Sequence, residues 1–126
     1  MPSRERVEAF IAQVERGEFV EAIEAFYTED ASMQENNDPP RLGRARLVEH
    51  ERKVMAGTAA VEARLVDGFF VDGDRVVIHW RFEFLDKKGR RVVLDELAYQ
   101  LWRGDRIATE RFYYDPAQLK AGVERG

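Results

Sequence analysis

The chain has 126 residues, of which 44% are hydrophobic and 35% charged, and a formal net charge of −4. That length suits one domain with a real core, spanning residues 1–126, and is short for two. It contains no cysteine, which excludes disulfides, thiolate metal sites and a cysteine nucleophile.

Basic and acidic residues are interleaved throughout. The nearest thing to a basic run, Lys87-Lys88-Gly89-Arg90-Arg91, surrounds a glycine between two apolar segments and reads as a solvated turn. Nucleic acid is therefore not an expected partner. No apolar run approaches the roughly 20 residues of a membrane helix. The N-terminus turns at once into charged helix, so no signal peptide is expected, and a cytoplasmic location is the default.

Val7, Phe10, Ile11 and Val14 share one face of a first helix, with Ser3 as N-cap, Glu5 in the first turn and Gly17 at the C-terminal end. A second amphipathic stretch carries Phe19, Ile23 and Phe26, with Tyr27 at its end. Ala31 to Glu35 alternates like a short strand, and Asn36-Asn37-Asp38-Pro39-Pro40 is a loop. Leu47, His50 and Val54 mark a third helix between Gly43 and Gly57.

From there the period changes to two. Val61 to Val71 reads as one long strand, interrupted at Asp67-Gly68 by a bulge. Asp72-Gly73-Asp74 is a turn. Val76 to Leu85 follows, with Val76, Ile78, Trp80, Phe82 and Phe84 on one face and His79, Arg81 and Glu83 on the other. Two further strands run over Val92 to Trp102 and Ile107 to Tyr114, separated by Gly104-Asp105. The expected fold is α+β: three N-terminal helices packed on a strongly curved antiparallel sheet, a cone-shaped half-barrel with a pocket at its mouth.

Phe26-Tyr27-Thr28-Glu29-Asp30-Ala31-Ser32-Met33 resembles the helix-to-strand signature of the nuclear transport factor 2-like superfamily, whose fold is cystatin-like. Gly104-Asp105-Arg106-Ile107, continuing to Arg111-Phe112-Tyr113-Tyr114-Asp115-Pro116, resembles the last strand of its SnoaL-like branch. The order of elements matches over nearly the whole chain. The superfamily includes polyketide cyclases, ketosteroid isomerases, dehydratases, epoxide hydrolases and non-catalytic binding modules, so the resemblance speaks to fold before chemistry. It also implies a homodimer formed through the outer sheet face, where Tyr99 and Tyr113 lie beside His79 and Arg81.

The resemblance places Glu35 where ketosteroid isomerases carry the acid that serves as proton-transfer base. Partial burial would raise such a carboxyl toward neutrality. The sequence departs from that family at Phe10, where its first helix carries an oxyanion tyrosine, and near Ala98, where its second oxyanion acid would fall. Strand parity groups Glu110, Phe112 and Tyr114 on one face, and Glu96, Gln100 and Trp102 on another. By resemblance the first face lines the pocket, which makes Glu110, Tyr114 and Glu96 acid–base candidates. A carboxylate among aromatic rings must be paired, protonated or active.

His50 on the third helix could reach the pocket floor and titrates near neutral pH. Asp115 is a candidate because some SnoaL-like cyclases use a late-strand acid; beside a proline it could instead cap a turn. Tyr27, Met33, Trp80, Phe82, Phe84, Trp102 and Phe112 are the expected ligand-contacting walls. Two histidines without cysteine argue against zinc. Neither phosphate-binding glycine motif is present, so no cofactor is expected. The chemistry expected is proton transfer by an isomerase, cyclase or lyase on a hydrophobic small molecule. The alternatives are a non-catalytic module that binds such a ligand, and a structural or dimerisation domain.

Overall fold

The computed structural model describes residues 1–121; residues 122–126, the end of the expected domain, lie outside the described part. Helix α1 spans Arg4–Glu15 and buries Val7, Phe10, Ile11 and Val14. The Ser3 hydroxyl accepts a hydrogen bond from the Arg6 amide at 3.0 Å, satisfying one of the amides left open at a helix start. Gly17 follows the C-cap with φ of +82°, a conformation that favours glycine. Helix α2 is Phe19–Phe26 and α3 is Arg44–Gly57.

Strand β1, Tyr27–Glu35, begins directly at the end of α2 and is longer than the alternation of Ala31 to Glu35 indicates. Tyr27 is extended, with φ of −105° and ψ of 149°. It therefore opens the strand and does not close the helix, as its place at the end of an amphipathic run suggests. Arg41–Leu42 forms a two-residue strand, β2, that the sequence did not reveal. Strands β3 (Thr58–Asp72), β4 (Arg75–Asp86), β5 (Arg91–Arg103) and β6 (Arg106–Tyr113) follow, then a short helix α4, Gln118–Ala121.

The sheet order is β2-β1-β6-β5-β4-β3. Its neighbours pair antiparallel except β1 and β6, which run parallel. The bulge at Asp67-Gly68 is present: the β3–β4 register shifts between Leu65 and Phe69, and Asp67 and Gly68 take φ of 59° and 106°. Such a bulge bends the strand and increases its twist, which helps curl the sheet over the helices.

Register then decides what faces inward. Trp80 lies opposite Glu96, Gln100 opposite Glu110, Glu110 opposite Met33, and Glu35 opposite Phe112. Paired residues project from the same face of a sheet, so these side chains converge on the concave side. The core beneath the helices packs Phe10 against Phe26 at 5.4 Å and against Trp102 at 6.3 Å, both edge-to-face. Among the described residues no helix is long and apolar enough to cross a membrane.

Candidate active site

The concave face encloses a cavity of about 180 Å³ between the sheet and the three long helices. Its walls are largely apolar. Trp80, Phe82 and Phe84 alternate along β4, with successive ring centroids 5.7 and 6.0 Å apart, and Phe112, Leu94 and Met33 line the same cavity. The polar lining is concentrated in a few side chains: Glu35, Arg41, His50, Glu51, Glu96, Glu110 and Tyr27.

At one side, Glu35 ends β1. Its Oε2 accepts from Arg41 Nη1 at 2.6 Å and its Oε1 from the Tyr114 hydroxyl at 3.0 Å. The side chains of Glu35 and Arg41 are 34% and 25% exposed, so this pair reaches solvent. Partial burial pushes the Glu35 carboxyl up, but the Arg41 hydrogen bond and charge, with the Tyr114 hydroxyl, outweigh it and hold the group below its ordinary value. The sequence reading anticipated the opposite shift, because it did not place a cation beside this carboxylate. Tyr114 stands outside the cavity lining and its only hydroxyl proton is directed at Glu35, so it supports Glu35 and is not free for a ligand. His50 lies at the same side, half-buried. Burial and then the Arg41 charge lower its pKa, so it is neutral at physiological pH.

On the deep side, Glu110 is 2% exposed. Its Oε1 accepts from the Tyr27 hydroxyl and its Oε2 from Gln100 Nε2 at 2.6 Å. Gln100 Oε1 in turn accepts from the Trp102 indole at 2.9 Å. Burial raises Glu110 to about 7 despite the two donors, and Glu51 pushes in the same direction. No arginine pairs with it among the described residues.

Glu96, on the neighbouring strand, has no hydrogen-bond partner among the described residues, and it lines the cavity. Burial, then repulsion from Glu110, Glu35 and Asp95, raises it to about 8. Glu51, on α3, is also raised, chiefly by burial.

The remaining candidates fall elsewhere. Trp102 is 2% exposed, packed edge-on to Phe10 and absent from the cavity wall; it acts through Gln100. Asp115 is exposed and outside the cavity, its Oδ1 accepting from the Ala117 amide at 2.9 Å. That turn carries Gln118 to β5 just beyond the last β6 pairing. There its side chain bonds both backbone groups of Asp95, continuing the ladder where β6 has ended.

Two polar lining residues were not recognised from sequence. Glu51 was legible, because it sits four residues from Leu47 on the same helix face as His50 and Val54. Arg41 was not, because nothing in a two-residue strand after Pro39-Pro40 announces which way it points.

A profile of the SnoaL-like domain matches residues 7–110. The chain belongs to the SnoaL-like domain family. Solved structures with the same fold include an LEH-like epoxide hydrolase of M. tuberculosis, 21% identical, with TM-score 0.79 over 97% of this chain and 89% of that one. TerC, co-crystallised with polyporic acid, is 19% identical with TM-score 0.79, covering 95% of this chain and 96% of that one. A ketosteroid isomerase-like-fold protein from Catenulispora acidiphila DSM 44928, in complex with trimethylamine, is 18% identical with TM-score 0.80, covering 97% and 94%. At these identities the likeness shows a shared fold. No curated protein matches the chain in sequence. This SnoaL-like domain shares the fold of these structures, and its cavity wall carries the carboxyls of Glu35, Glu51, Glu96 and Glu110.

Proposed function

We propose that this SnoaL-like domain is a cofactor-independent proton-transfer enzyme, an isomerase, cyclase or lyase, acting on a hydrophobic small molecule with an enolisable carbonyl. One observation carries the reading: two carboxyls open on the same apolar cavity with their affinities for protons pushed in opposite directions. Glu35 is held ionised by Arg41 and Tyr114. Glu96 keeps its proton up to about pH 8 and has no partner to occupy it. Titratable groups pushed apart in this way are what divides the roles of base and acid at one pH.

In this scheme Glu35 removes a proton from the carbon next to the carbonyl. Glu96 donates a hydrogen bond or its proton to the oxygen, on which negative charge develops. Because a carboxylate paired with arginine is a weak base, the stabilisation of that oxygen in an apolar cavity supplies much of the driving force. The aromatic wall of β4 would hold the substrate's carbon skeleton.

The test is exchange in heavy water. The protein is incubated with a panel of aryl and cyclic ketones, and loss of the α-proton signal is followed by NMR. The scheme expects catalysed exchange that falls by about a hundredfold or more in Glu35→Gln and in Glu96→Gln. A loss under about tenfold in Glu35→Gln removes it as the base. Ketones that bind without any exchange would identify a non-catalytic binding module.

A homodimer is proposed as well, through the outer sheet face. Leu97, Tyr99 and Tyr113 are each more than a third exposed there, an apolar patch of the kind that supports association. Gel filtration of Leu97→Lys against the unaltered protein tests it; equal elution volumes would remove the proposal.

A further inference from the structure

The deep hydrogen-bonded chain has a direction fixed by chemistry. An indole N–H can only donate, so the atom of Gln100 facing Trp102 must be its oxygen, at 2.9 Å. The Gln100 amide nitrogen then faces Glu110 Oε2, at 2.6 Å, and a nitrogen carrying two hydrogens cannot accept. A proton on Oε2 would have to point away from that donor, whereas one on Oε1 has the Tyr27 hydroxyl oxygen in line to accept it. The geometry therefore favours protonation of Glu110 on Oε1. Tyr27 is then the acceptor, and its own hydrogen has to leave that line. Glu110 is the only hydrogen-bond partner of that hydroxyl among the described residues, and Tyr27 lines the cavity. The displaced hydrogen has nowhere to bond except to something in the cavity.

The geometry points to Tyr27 as a two-state donor: directed at Glu110 when that carboxyl is ionised, and at an acceptor oxygen of a bound carbonyl compound when it is protonated. This goes beyond the division of labour between Glu35 and Glu96 but rests on the same reading, that a small molecule occupies the cavity.

The surroundings favour use of both states near neutral pH. Burial lifts Glu110 to about 7. Glu51 from α3 and Glu96 from β5 act on the Tyr27–Glu110 pair, while α1 offers only the Phe10 ring, 6.0 Å from that of Tyr27. The cations bonded to Tyr27, Arg44 and Arg106, hold its backbone oxygen and not its hydroxyl. By linkage, a ligand that accepts from Tyr27 must also strengthen proton binding by Glu110.

Infrared difference spectra between about pH 5 and about pH 9, with ring-labelled tyrosine, test the switch without any ligand, since these values bracket the carboxyl's titration. The expected result is a tyrosine C–O stretch that shifts as a buried carboxyl titrates, and that is absent in Tyr27→Phe. A tyrosine band that stays fixed while the carboxyl titrates would overturn the proposal. Acetophenone, which does not itself titrate, then probes the cavity. Its affinity should be about three- to tenfold higher at the acid end, the worth of one net hydrogen bond. Tyr27→Phe should lose this difference and Glu110→Gln should stay at the tighter level, because its amide donates to Tyr27 as the protonated acid does; each keeps only what Glu96 contributes as it titrates near 8. If Tyr27→Phe kept the full pH dependence, Glu96 would be its source and the switch would be refuted. A spectral shift without acetophenone binding at either pH would support the switch and count against the cavity reading.

Discussion

Replacing Glu96 with glutamine should stabilise the protein, and by more as pH rises. Burial, then repulsion from Glu110, Glu35 and Asp95, lifts this carboxyl from 4.5 to about 8. A group whose folded value is raised lends stability below its unfolded value and loses it as pH climbs through the folded one. The folded protein must keep a proton at neutral pH that the unfolded chain releases. At about 1.4 kcal/mol per pH unit the full gap amounts to about 5 kcal/mol above pH 8, and about 3 kcal/mol near pH 7. A carboxylate on a cavity wall can relax toward water, so roughly half of these figures is the expected effect. Glutamine has nearly the same shape and never ionises, and the protonated acid that it replaces is equally without a partner.

Thermal unfolding of both proteins from about pH 5 to about pH 9 is the assay. The melting temperatures should coincide near pH 5 and diverge upward. The variant should lead by about 6 °C at neutral pH, taking about 4 °C per kcal/mol for a chain of this size. Profiles that stay parallel across the range would refute the reasoning.

Three further outcomes follow from the same geometry. Arg41→Gln should raise the Glu35 carboxyl, since burial would then act against only the Tyr114 hydrogen bond and the influence of His50; carbon-13 NMR titration would show an unchanged midpoint if Arg41 does not set it. Ser3→Ala should cost about 1 kcal/mol in chemical denaturation by removing the α1 cap, and no loss would mean that water replaces it. Asp115→Asn should leave ketone exchange within about twofold of the unaltered protein, because its carboxylate only closes a turn outside the cavity; a larger loss would require a connection from that turn to the cavity.

The amphipathic patterns carried most of the fold. Helix periodicity located α1 and α3, and the alternation along β4 identified the face that carries Trp80, Phe82 and Phe84. Local pattern could not show that β1 runs parallel to β6, because that pairing joins residues nearly eighty positions apart, such as Met33 and Glu110. Yet the pairing assembles the site, setting β1 beside Glu110 and Phe112. Strand parity brought Glu96, Glu110 and Gln100 to the concave side as read. What parity does not contain is the state of each carboxyl. That depends on partners contributed by other elements: Arg41 from β2 for Glu35, and Tyr27 and Gln100 for Glu110. Trp102 and Asp115 illustrate the same limit, since an aromatic on the inner face can be core and an acid at a strand end can be a cap.

The most direct test of the proposed chemistry is a carbon-13 NMR titration of the glutamate side-chain carboxyls, assigned with the Glu35→Gln and Glu96→Gln variants. The account predicts a midpoint below the ordinary value for Glu35 and one near 8 for Glu96, so that base and acid coexist in one cavity over the neutral range. Midpoints that both fall near the ordinary glutamate value of 4.5 would contradict it, leaving an apolar cone without a poised acid.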